Sequence, residues 1–331
     1  MRNRSKLFAT AMTSSSTPQP STAPIQTKAI PPARDRLQSH LLVCFALLIL
    51  GCSVAYEWTF FYRRYDFKYL TQITAVSLIF ALTAWCIRAA TASAAVCGGA
   101  ICLLVSTNCF RELGDSVFRS GLVPLLLLFA LTFCATSLGR DQKASNNLAE
   151  SRSGRNAGQV IANLGIAAIF NSAVGWYFLV SWSGWNGSIN GDDAATRTYF
   201  AIPLLPMLAA LTEATADTVS SEIGQAFGGT PFMLTNLRRA APGTDGAITP
   251  IGTMAGLVAA ALIAATGVPA LHMNVIECAI AFAAGIGGLF FDSLLGATLE
   301  RRGYIGNDLV NFLSTAFAAF ASLAAIRLLR F

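Results

Sequence analysis

The sequence predicts an all-α fold, a polytopic transmembrane helical bundle of about nine spans, with eight to ten as the possible range. Composition is the first observation: 54% of the 331 residues are hydrophobic and only 12% are charged, whereas soluble domains carry about 25% charged residues. The second is a mean hydropathy of +0.56. The third is the length of the apolar runs, because each approaches the roughly 20 residues that a helix needs to cross a bilayer.

Taken in order, the apolar runs divide the chain into nine predicted helices. Arg88 alone separates the second run from the third, and this boundary sets the range of the span count. Together the runs predict one transmembrane domain over residues 41–331. They lie near residues 41–61, 70–87, 89–107, 122–138, 158–180, 199–219, 251–268, 275–299 and 309–329.

Residues 1–40 differ in composition from the rest of the chain. Ser, Thr, Pro, Gln and Ala dominate this segment, which cannot bury a core, so we predict a disordered N-terminal tail. The first apolar run begins only at Leu41, which is late for a signal peptide. We therefore expect that run to remain in the protein as a span.

Several classes of site are disfavoured by the residues present. The eight Cys form no C-x-x-C pair and there are only two His, so disulfides, zinc sites and Ser-His-Asp chemistry are not expected. The sequence has no Walker A loop, no Gly-x-Gly-x-x-Gly after a strand pattern and no long basic helix. Nucleic acid is therefore not an expected partner, and a nucleotide enzyme of this sequence would not be of the P-loop class.

The distribution of positive charge predicts the orientation. With nine spans, 15 of the 23 Lys and Arg lie on the side of the N-terminus and 8 on the other, and such residues collect in cytoplasmic loops. We therefore expect a multi-pass protein of the bacterial inner (cytoplasmic) membrane, with its N-terminus in the cytoplasm. The loops around residues 140–156, 238–245 and 300–308 are then cytoplasmic.

Three acids in predicted spans are the first candidate site residues. Glu213 and Asp217 are four residues apart, so they share one helix face and repel each other unless a cation or a shared proton lies between them. Asp292 lies toward the end of the eighth span. An ionisable residue at the centre of a span costs about 2.5–3.5 kcal/mol, so such residues are functional candidates. The alternative is a set of interfacial acids solvated by headgroups and water.

Further polar residues are predicted to reach the same membrane face. Two Arg of the loop before the seventh span either anchor that loop or clamp phosphate groups, which guanidinium binds bidentately. The acid that opens the ninth span is either a site residue or a helix N-cap. Glu222 is a candidate surface charge. The full polar set comprises Arg155, Asn163, Arg238, Arg239, Ser293, Asn307, Asp308 and Asn311.

Four segments resemble a known family, the integral-membrane family called domain of unknown function ninety-two, which contains transmembrane protein nineteen and phytyl-phosphate kinase. The resemblance covers about residues 75–328. Two departures are a loop reading Gly-Thr-Asp-Gly-Ala at 243–247, where the family often has Gly-Thr-Asn-Gly-Gly, and Asp308 in place of a second Asn. The segments are SGRNAGQVIANLG, EATADTVSSEIG, RRAAPGTDGAITPIGTMAG and GGLFFDSLLGATLERRGYIGNDLVNFLST.

The resemblance implies an enzyme that transfers phosphate from a nucleoside triphosphate to an isoprenoid monophosphate at the cytoplasmic face. Mg²⁺ would be the cofactor, and Glu213, Asp217 and Asp292 are expected to hold it and to carry catalysis. The eight residues of the polar set are expected to bind phosphate, nucleotide or lipid headgroup. Two rival hypotheses are a proton- or cation-coupled transporter, with a helix broken at Pro203 and Pro206, and a membrane protein without catalysis.

Overall fold

A computed structural model describes residues 30–64, 67–107, 116–145, 148, 154–183 and 203–329. Residues 1–29 of the predicted tail and residues 199–202 of the sixth predicted span lie outside this part. The first helix begins at Pro32, nine residues before the first predicted span. Its start combines Pro in the first turn with Asp35, and both favour a helix N-terminus.

The described residues form α-helices, together with a ribbon of two very short antiparallel strands, β1 (Phe232–Met233) and β2 (Ala247–Ile248). The all-α class is therefore confirmed, apart from this ribbon. The helices are α1 (Pro32–Arg64), α2 (Phe67–Cys86), α3 (Ala92–Ser106), α4 (Leu122–Ser137), α5 (Arg140–Ser145), α6 (Ala157–Phe170), α7 (Ala173–Ser183), α8 (Leu204–Phe227), α9 (Pro250–Ala265), α10 (Gly267–Leu271), α11 (Val275–Leu295) and α12 (Asn307–Leu329).

Length and hydropathy identify the clearest membrane spans. Within the described residues, four helical segments are long and apolar enough to cross a bilayer, namely Pro32–Thr59, Pro250–Leu271, Val275–Glu300 and Asn307–Leu329. The bent pair α6–α7 raises this number to five, and α2, α3 and α4 contribute shorter apolar helices. The protein is thus a multi-pass membrane protein, and the number of nine spans stays a prediction.

Helix α8 is the centre of the bundle. It packs against α4, α6, α9, α11 and α12, and its N-terminal half is buried throughout. Gly252 and Gly256 of α9 lie directly against the α8 backbone, and a Cβ on Gly256 would be 2.7 Å from the Ala216 carbonyl oxygen. The sequence GTMAG at 252–256 is therefore a helix-packing face, and it allows a close approach of two helices.

The predicted fifth span is broken, whereas the helix with two prolines is not. Helices α6 and α7 meet at an angle of 58°. At the break, the Asn171 amide donates hydrogen bonds to the carbonyl oxygens of Leu104, Val105 and Thr107, which satisfies the C-terminus of α3. Pro203 and Pro206 lie at the start of α8, where proline is tolerated, and α8 continues without a break from Leu204 to Phe227. Residues 199–202 of the predicted span precede the described part, so a break at Pro203 stays a prediction.

Five segments meet at one end of the bundle, which we call the polar end: residues 87–91, 154–163, 242–249, 292–300 and 307–311. The second of these pairs with the first through main-chain hydrogen bonds of 3.0 Å, from Thr91 N to Arg155 O and from Arg155 N to Ala89 O. The loop of residues 242–249 packs on the end of α11, because a Cβ on Gly296 would be 2.7 Å from Gly246 N. The turns that carry the predicted site residues are therefore neighbours.

Candidate functional site

A cavity of about 300 Å³ opens at the polar end, between α6, α8, the end of α11 and the start of α12. We call it the acidic cavity. The loop between β1 and α9 closes one side with Pro242 to Thr249. Seven of the eleven predicted site residues line this cavity: Arg155, Asn163, Asp217, Asp292, Ser293, Asn307 and Asn311.

The walls of the cavity carry an excess of negative charge. Among the described residues that line it, Arg155 is the one basic side chain. An anion alone is repelled by such walls, whereas a polyanion that brings its own divalent cation is accommodated. The acidic side chains on the walls are Asp217, Glu222, Asp245, Asp292 and Glu300.

Glu213 lies deeper than the other two predicted catalytic acids. It is 1% exposed and does not line the cavity, but its carboxyl group is close enough to repel those of Asp217 and Asp292. The Ser314 hydroxyl lies near Glu213 and Asp292, yet it donates its proton to the Asn311 carbonyl oxygen at 3.0 Å. As a result, Glu213 Oε1 and Asp292 Oδ2 have no hydrogen-bond partner within the described chain.

Two glycines of α11 make room for the side chains of Thr212 and Glu213 on α8. A Cβ on Gly288 would be 2.5 Å from Glu213 Cγ and 3.0 Å from the Ser314 carbonyl oxygen, and a Cβ on Gly285 would meet Thr212 at 2.6 Å. Because no side chain intervenes, α8 and α11 approach closely at this level. This approach brings Asp292 of α11 to the Asp217 side of α8.

Gly288→Ala is expected to destabilise the protein by about 1–3 kcal/mol, because the added methyl group is wedged against Glu213 and a backbone carbonyl. The control is Gly287→Ala on the same helix, where a Cβ would meet only the Phe317 ring, at an ordinary 3.4 Å. Thermal unfolding in detergent measures both. Equal melting temperatures for the two variants would contradict this packing of α8 on α11.

Two of the three predicted carboxylates could bind a metal ion in the acidic cavity. Within the described residues, no three His, Cys, Asp or Glu side chains are arranged to hold an ion by themselves. Mg²⁺ bound with phosphate groups needs only one or two carboxylates and completes its shell with waters. Asp217 and Asp292 meet this requirement, since both line the cavity and Asp292 Oδ2 is unsatisfied. Of the three predicted metal ligands, the structure therefore places Asp217 and Asp292 at the cavity and Glu213 behind them.

Arg155 is held in place by its own main chain. Besides pairing with the α2–α3 turn, it follows Gly154, whose φ of +80° and closeness to the Arg88 carbonyl oxygen leave no room for a side chain. Asn156 and Gln159 then form a capping box that starts α6. The positive charge of the Arg155 guanidinium attracts the Asp217 carboxylate. One turn further along α6 than Gln159, Asn163 Nδ2 donates a hydrogen bond of 2.8 Å to the Gln159 carbonyl oxygen.

Arg238 and Arg239 are not in the cavity. Both are exposed and neither lines it. The chain turns back sharply between them and β1, with Leu237 N donating to Met233 O and Met233 N donating to Arg238 O, both at 2.9 Å. This turn keeps the two Arg in the outer part of the loop, so the structure does not bring the predicted phosphate clamp to the cavity. A role as positively charged anchors fits their position.

Asp308 connects three helices instead of lining the cavity. Its Oδ2 accepts a hydrogen bond of 2.7 Å from Ser39 Oγ of α1. The same oxygen would be 2.5 Å from a Cβ on Gly158, in the first turn of α6. A carboxylate at a helix N-terminus interacts favourably with the helix dipole. Asp308 therefore makes structural contacts and does not line the cavity, whereas Asn307 and Asn311 do; its nucleotide-binding role stays a prediction.

Glu222 is buried, contrary to the prediction of a surface charge. It is 8% exposed and forms an ion pair of 2.5 Å with Lys143 of α5. Thr136 Oγ1 donates to its second oxygen at 3.2 Å, and Lys143 Nζ also donates to the carbonyl oxygens of Ala135 and Thr136. No sequence signal links residues 79 positions apart, so the pair emerges only from the packing of α5 on α8.

Three more charged residues lie near the cavity and were not among the predicted site residues: Asp245, Glu300 and Arg301. Residues Gly296–Glu300 form a π-helical turn at the end of α11, a feature often found at functional sites, and it changes the helical register before Glu300. Burial raises the pKa of the Asp245 carboxyl above its ordinary value, and Arg301 opposes this shift. Arg301 Nε has no hydrogen-bond partner among the described residues, and Nη1 donates weakly to Met233 Sδ at 3.6 Å.

Comparisons with known proteins point to membrane relatives. An uncharacterized membrane protein of Methanocaldococcus jannaschii is 32% identical over 195 residues, which are 59% of this chain and 71% of that protein. The chloroplastic protein VTE6 of Arabidopsis thaliana is 26% identical over 229 residues, 68% of this chain and 63% of VTE6. Protein PGR of A. thaliana is 27% identical over 202 residues, 56% of this chain and 66% of PGR.

The chain spans less than two thirds of the length of the two Arabidopsis relatives. No solved structure matches it. The family model described as integral membrane protein DUF92 matches residues 75–319, a region that contains every residue lining the acidic cavity. The protein therefore belongs to the integral membrane family DUF92.

Proposed function

We propose that the protein is a prenyl-phosphate kinase, which transfers the terminal phosphate of a nucleoside triphosphate to an isoprenoid monophosphate at the cytoplasmic membrane face. The observation that carries this proposal is the acidic cavity, where Asp217 and Asp292 face a single guanidinium at the end of a membrane bundle. Enzymes of phosphoryl transfer need mainly positioning and charge neutralisation. Carboxylates that bind a cation, together with an Arg that binds phosphate, provide both.

The chemistry of the transfer balances without any redox partner. An oxygen of the isoprenoid monophosphate forms a new bond to the terminal phosphorus of the nucleotide, and the bond from that phosphorus to the bridging oxygen breaks. The products are an isoprenoid diphosphate and a nucleoside diphosphate. A bound Mg²⁺ supplies charge neutralisation on the phosphate oxygens during this exchange.

The residues of the cavity divide the remaining tasks. Asp217 and Asp292 would hold the cation, and Arg155 would bind the oxygens of a phosphate group, since guanidinium matches phosphate geometry. Asn163, Asn307 and Asn311 present amide groups that can donate to phosphate or accept from a nucleotide. Asp245 and Glu300 also line the cavity, and their charge favours a site occupied by cation and phosphate together.

The isoprenoid class of the substrate is supported by resemblance. The family motifs of the chain are those of a family that contains phytyl-phosphate kinase. Similarity to the chloroplastic protein VTE6 covers 68% of this chain, and the M. jannaschii relative shows that the family extends to archaea. A lipid phosphate also suits a site at the end of a membrane bundle, because its head can reach the cavity while its tail remains among helices.

A proton-coupled carrier is the second candidate, and the buried carboxyl of Glu213 favours it. Its Oε1 has no hydrogen-bond partner among the described residues, and the group lies one turn below Asp217, as expected for a proton-binding site in a transporter. The broken helix α6–α7 gives little support to a carrier, because the polar side chain at the break, Asn171, is already bonded to the C-terminus of α3. The kinase hypothesis gives a role to more of the polar-end residues than the carrier hypothesis does.

Thermal unfolding of the purified protein in detergent tests the two candidates together. For the kinase we expect stabilisation by Mg²⁺ plus nucleoside triphosphate, and neither component alone should be sufficient. A carrier predicts substrate binding that needs no Mg²⁺ and that depends on pH through Glu213. If Mg²⁺ plus nucleotide produces no stabilisation, the kinase is excluded.

A further inference from the structure

A second cavity of about 500 Å³ lies beside the acidic one, between α2, α3, α4 and α6. We call it the apolar cavity. Its size is within the range of roughly 300–1,000 Å³ that is typical of small-molecule sites. Most of its wall is hydrocarbon, including Phe80, Leu128, Phe129, Phe133, Val160 and Leu164. Phe80 and Phe129 make an edge-to-face contact with ring centroids 5.3 Å apart. Such a wall suits a hydrocarbon chain.

One end of the apolar cavity is strongly basic. Arg88, Arg140, Lys143 and Arg155 all line it, and no acidic residue does so among the described lining residues. Lys143 is already neutralised by its ion pair with Glu222. Arg88 and Arg140 are exposed, and no hydrogen bond or ion pair joins either side chain to another described residue. A cavity with apolar walls and a basic rim is complementary to an amphiphile with an anionic head.

The two cavities meet at three shared residues, Arg155, Asn163 and Thr218. Thr218 follows Asp217, which is on the acidic side of the junction. An anionic head at the basic rim would therefore be adjacent to the carboxylates proposed to hold the cation. The hydrocarbon part would extend away from them, among α2, α3 and α4.

We propose that the apolar cavity holds the hydrocarbon tail of the isoprenoid monophosphate, and that Arg88, Arg140 and Arg155 bind its phosphate where the two cavities meet. This inference rests on the proposed kinase function and adds the location of the acceptor substrate. It assigns the nucleotide to the acidic cavity and the lipid to the apolar one. The two substrates then approach each other from opposite sides of Arg155.

The backbone of Arg88 is a further sign that this rim serves binding. Arg88 has a φ of 59°, in the left-handed region that favours glycine. Strained backbone conformations persist where the surrounding structure enforces them, and they cluster at ligand sites. Glycine would adopt this backbone conformation with less strain than Arg, so stability by itself would favour glycine here. In the proposed complex, the guanidinium at this position binds the head of the substrate.

Binding of geranylgeranyl monophosphate to the purified protein, without nucleotide, tests the tail site. Gly98 of α3 lines the apolar cavity, and a Cβ there would make only an ordinary contact of 3.6 Å with Phe80. Gly98→Leu fills the cavity and should weaken binding by about tenfold or more, since misfit of single methylene groups already changes recognition by about tenfold. Gly98→Ala is the control and should bind nearly as the wild type does.

Two further probes separate the tail from the head. Isopentenyl monophosphate, with five carbons, should bind equally to wild type and Gly98→Leu, because its short chain does not reach the filled region. Arg88→Gly should weaken binding of both lipid phosphates by about tenfold through loss of a charged hydrogen bond, while its melting temperature stays the same or rises. Arg88→Lys keeps a charge and should lose less affinity.

The outcomes distinguish this inference from the kinase itself. Unchanged binding in Gly98→Leu, with Mg²⁺–nucleotide stabilisation retained as proof of folding, would overturn the tail site and leave the kinase intact. If Gly98→Leu does not fold, Thr132→Leu on α4, which lines the same cavity, replaces it. Preferential binding of phosphatidic acid, which has two chains, would show that the cavity holds a bilayer lipid and would also overturn the inference. If Gly98→Leu loses binding of the lipid phosphate and the wild-type protein transfers no phosphate, the tail site is supported and the kinase function is not.

Discussion

Asp292→Asn is expected to abolish phosphate transfer while the protein remains folded. The substitution removes one charge with almost no change in volume, and loss of a single preorganised electrostatic contact typically costs about 10²–10³-fold in rate. Asp217→Asn should act in the same way, because both carboxylates line the acidic cavity. Without ligand, the melting temperature of each variant should be unchanged or higher, since one of three mutually repelling carboxyl groups is gone.

The matched control is Asp141→Asn, which removes an exposed carboxylate from α5. It should leave activity and Mg²⁺–nucleotide stabilisation unchanged. Thermal unfolding with and without Mg²⁺ and nucleotide, together with the rate of product formation, measures all three variants. Normal activity in a well-folded Asp292→Asn protein would remove this residue from the site.

Lys143→Met should produce the largest loss of stability, about 3–5 kcal/mol, because it leaves the carboxylate of Glu222 buried without its partner. The pair is well shielded: the side chains of Lys143 and Glu222 are 2% and 10% exposed. Unfolding by heat or denaturant in detergent measures the effect. Arg302→Met removes an exposed charge at the same end of the bundle and should cost little.

The double variant Lys143→Met/Glu222→Gln shows whether the loss comes from the unpaired charge. With the carboxylate neutralised, much of the stability should return, since replacing both partners of a buried pair is often close to neutral. If the double variant is as unstable as the single one, the packing of the Lys143 side chain is the cause instead.

The bundle was predictable from the sequence because the apolar runs within the described residues fold into helices, although the fifth run forms two helices instead of one. The predicted spans of 70–87, 122–138 and 309–329 differ from α2, α4 and α12 by only a few residues at each end. The break at Asn171 was not predictable, because the Asn side chain gains its stabilising partners from the distant C-terminus of α3. Pro203 and Pro206 fall at the start of α8, which is unbroken from Leu204 to Phe227.

The positions of site residues were predictable where helix periodicity fixes them and unpredictable where the path of a loop fixes them. The spacing of Glu213 and Asp217 correctly indicated neighbouring carboxyls, but only packing against Gly288 reveals that Glu213 lies below the cavity. Arg238 and Arg239 are in a loop whose path depends on a two-residue ribbon, which no local pattern in the sequence indicates.

Transfer of labelled terminal phosphate from a nucleoside triphosphate to geranylgeranyl monophosphate, by purified protein in detergent, tests the central claim most directly. The account predicts a labelled prenyl diphosphate that forms only with a divalent cation and that is absent with Asp292→Asn. Stable binding of both substrates without any labelled product, or equal product from Asp292→Asn, would contradict it.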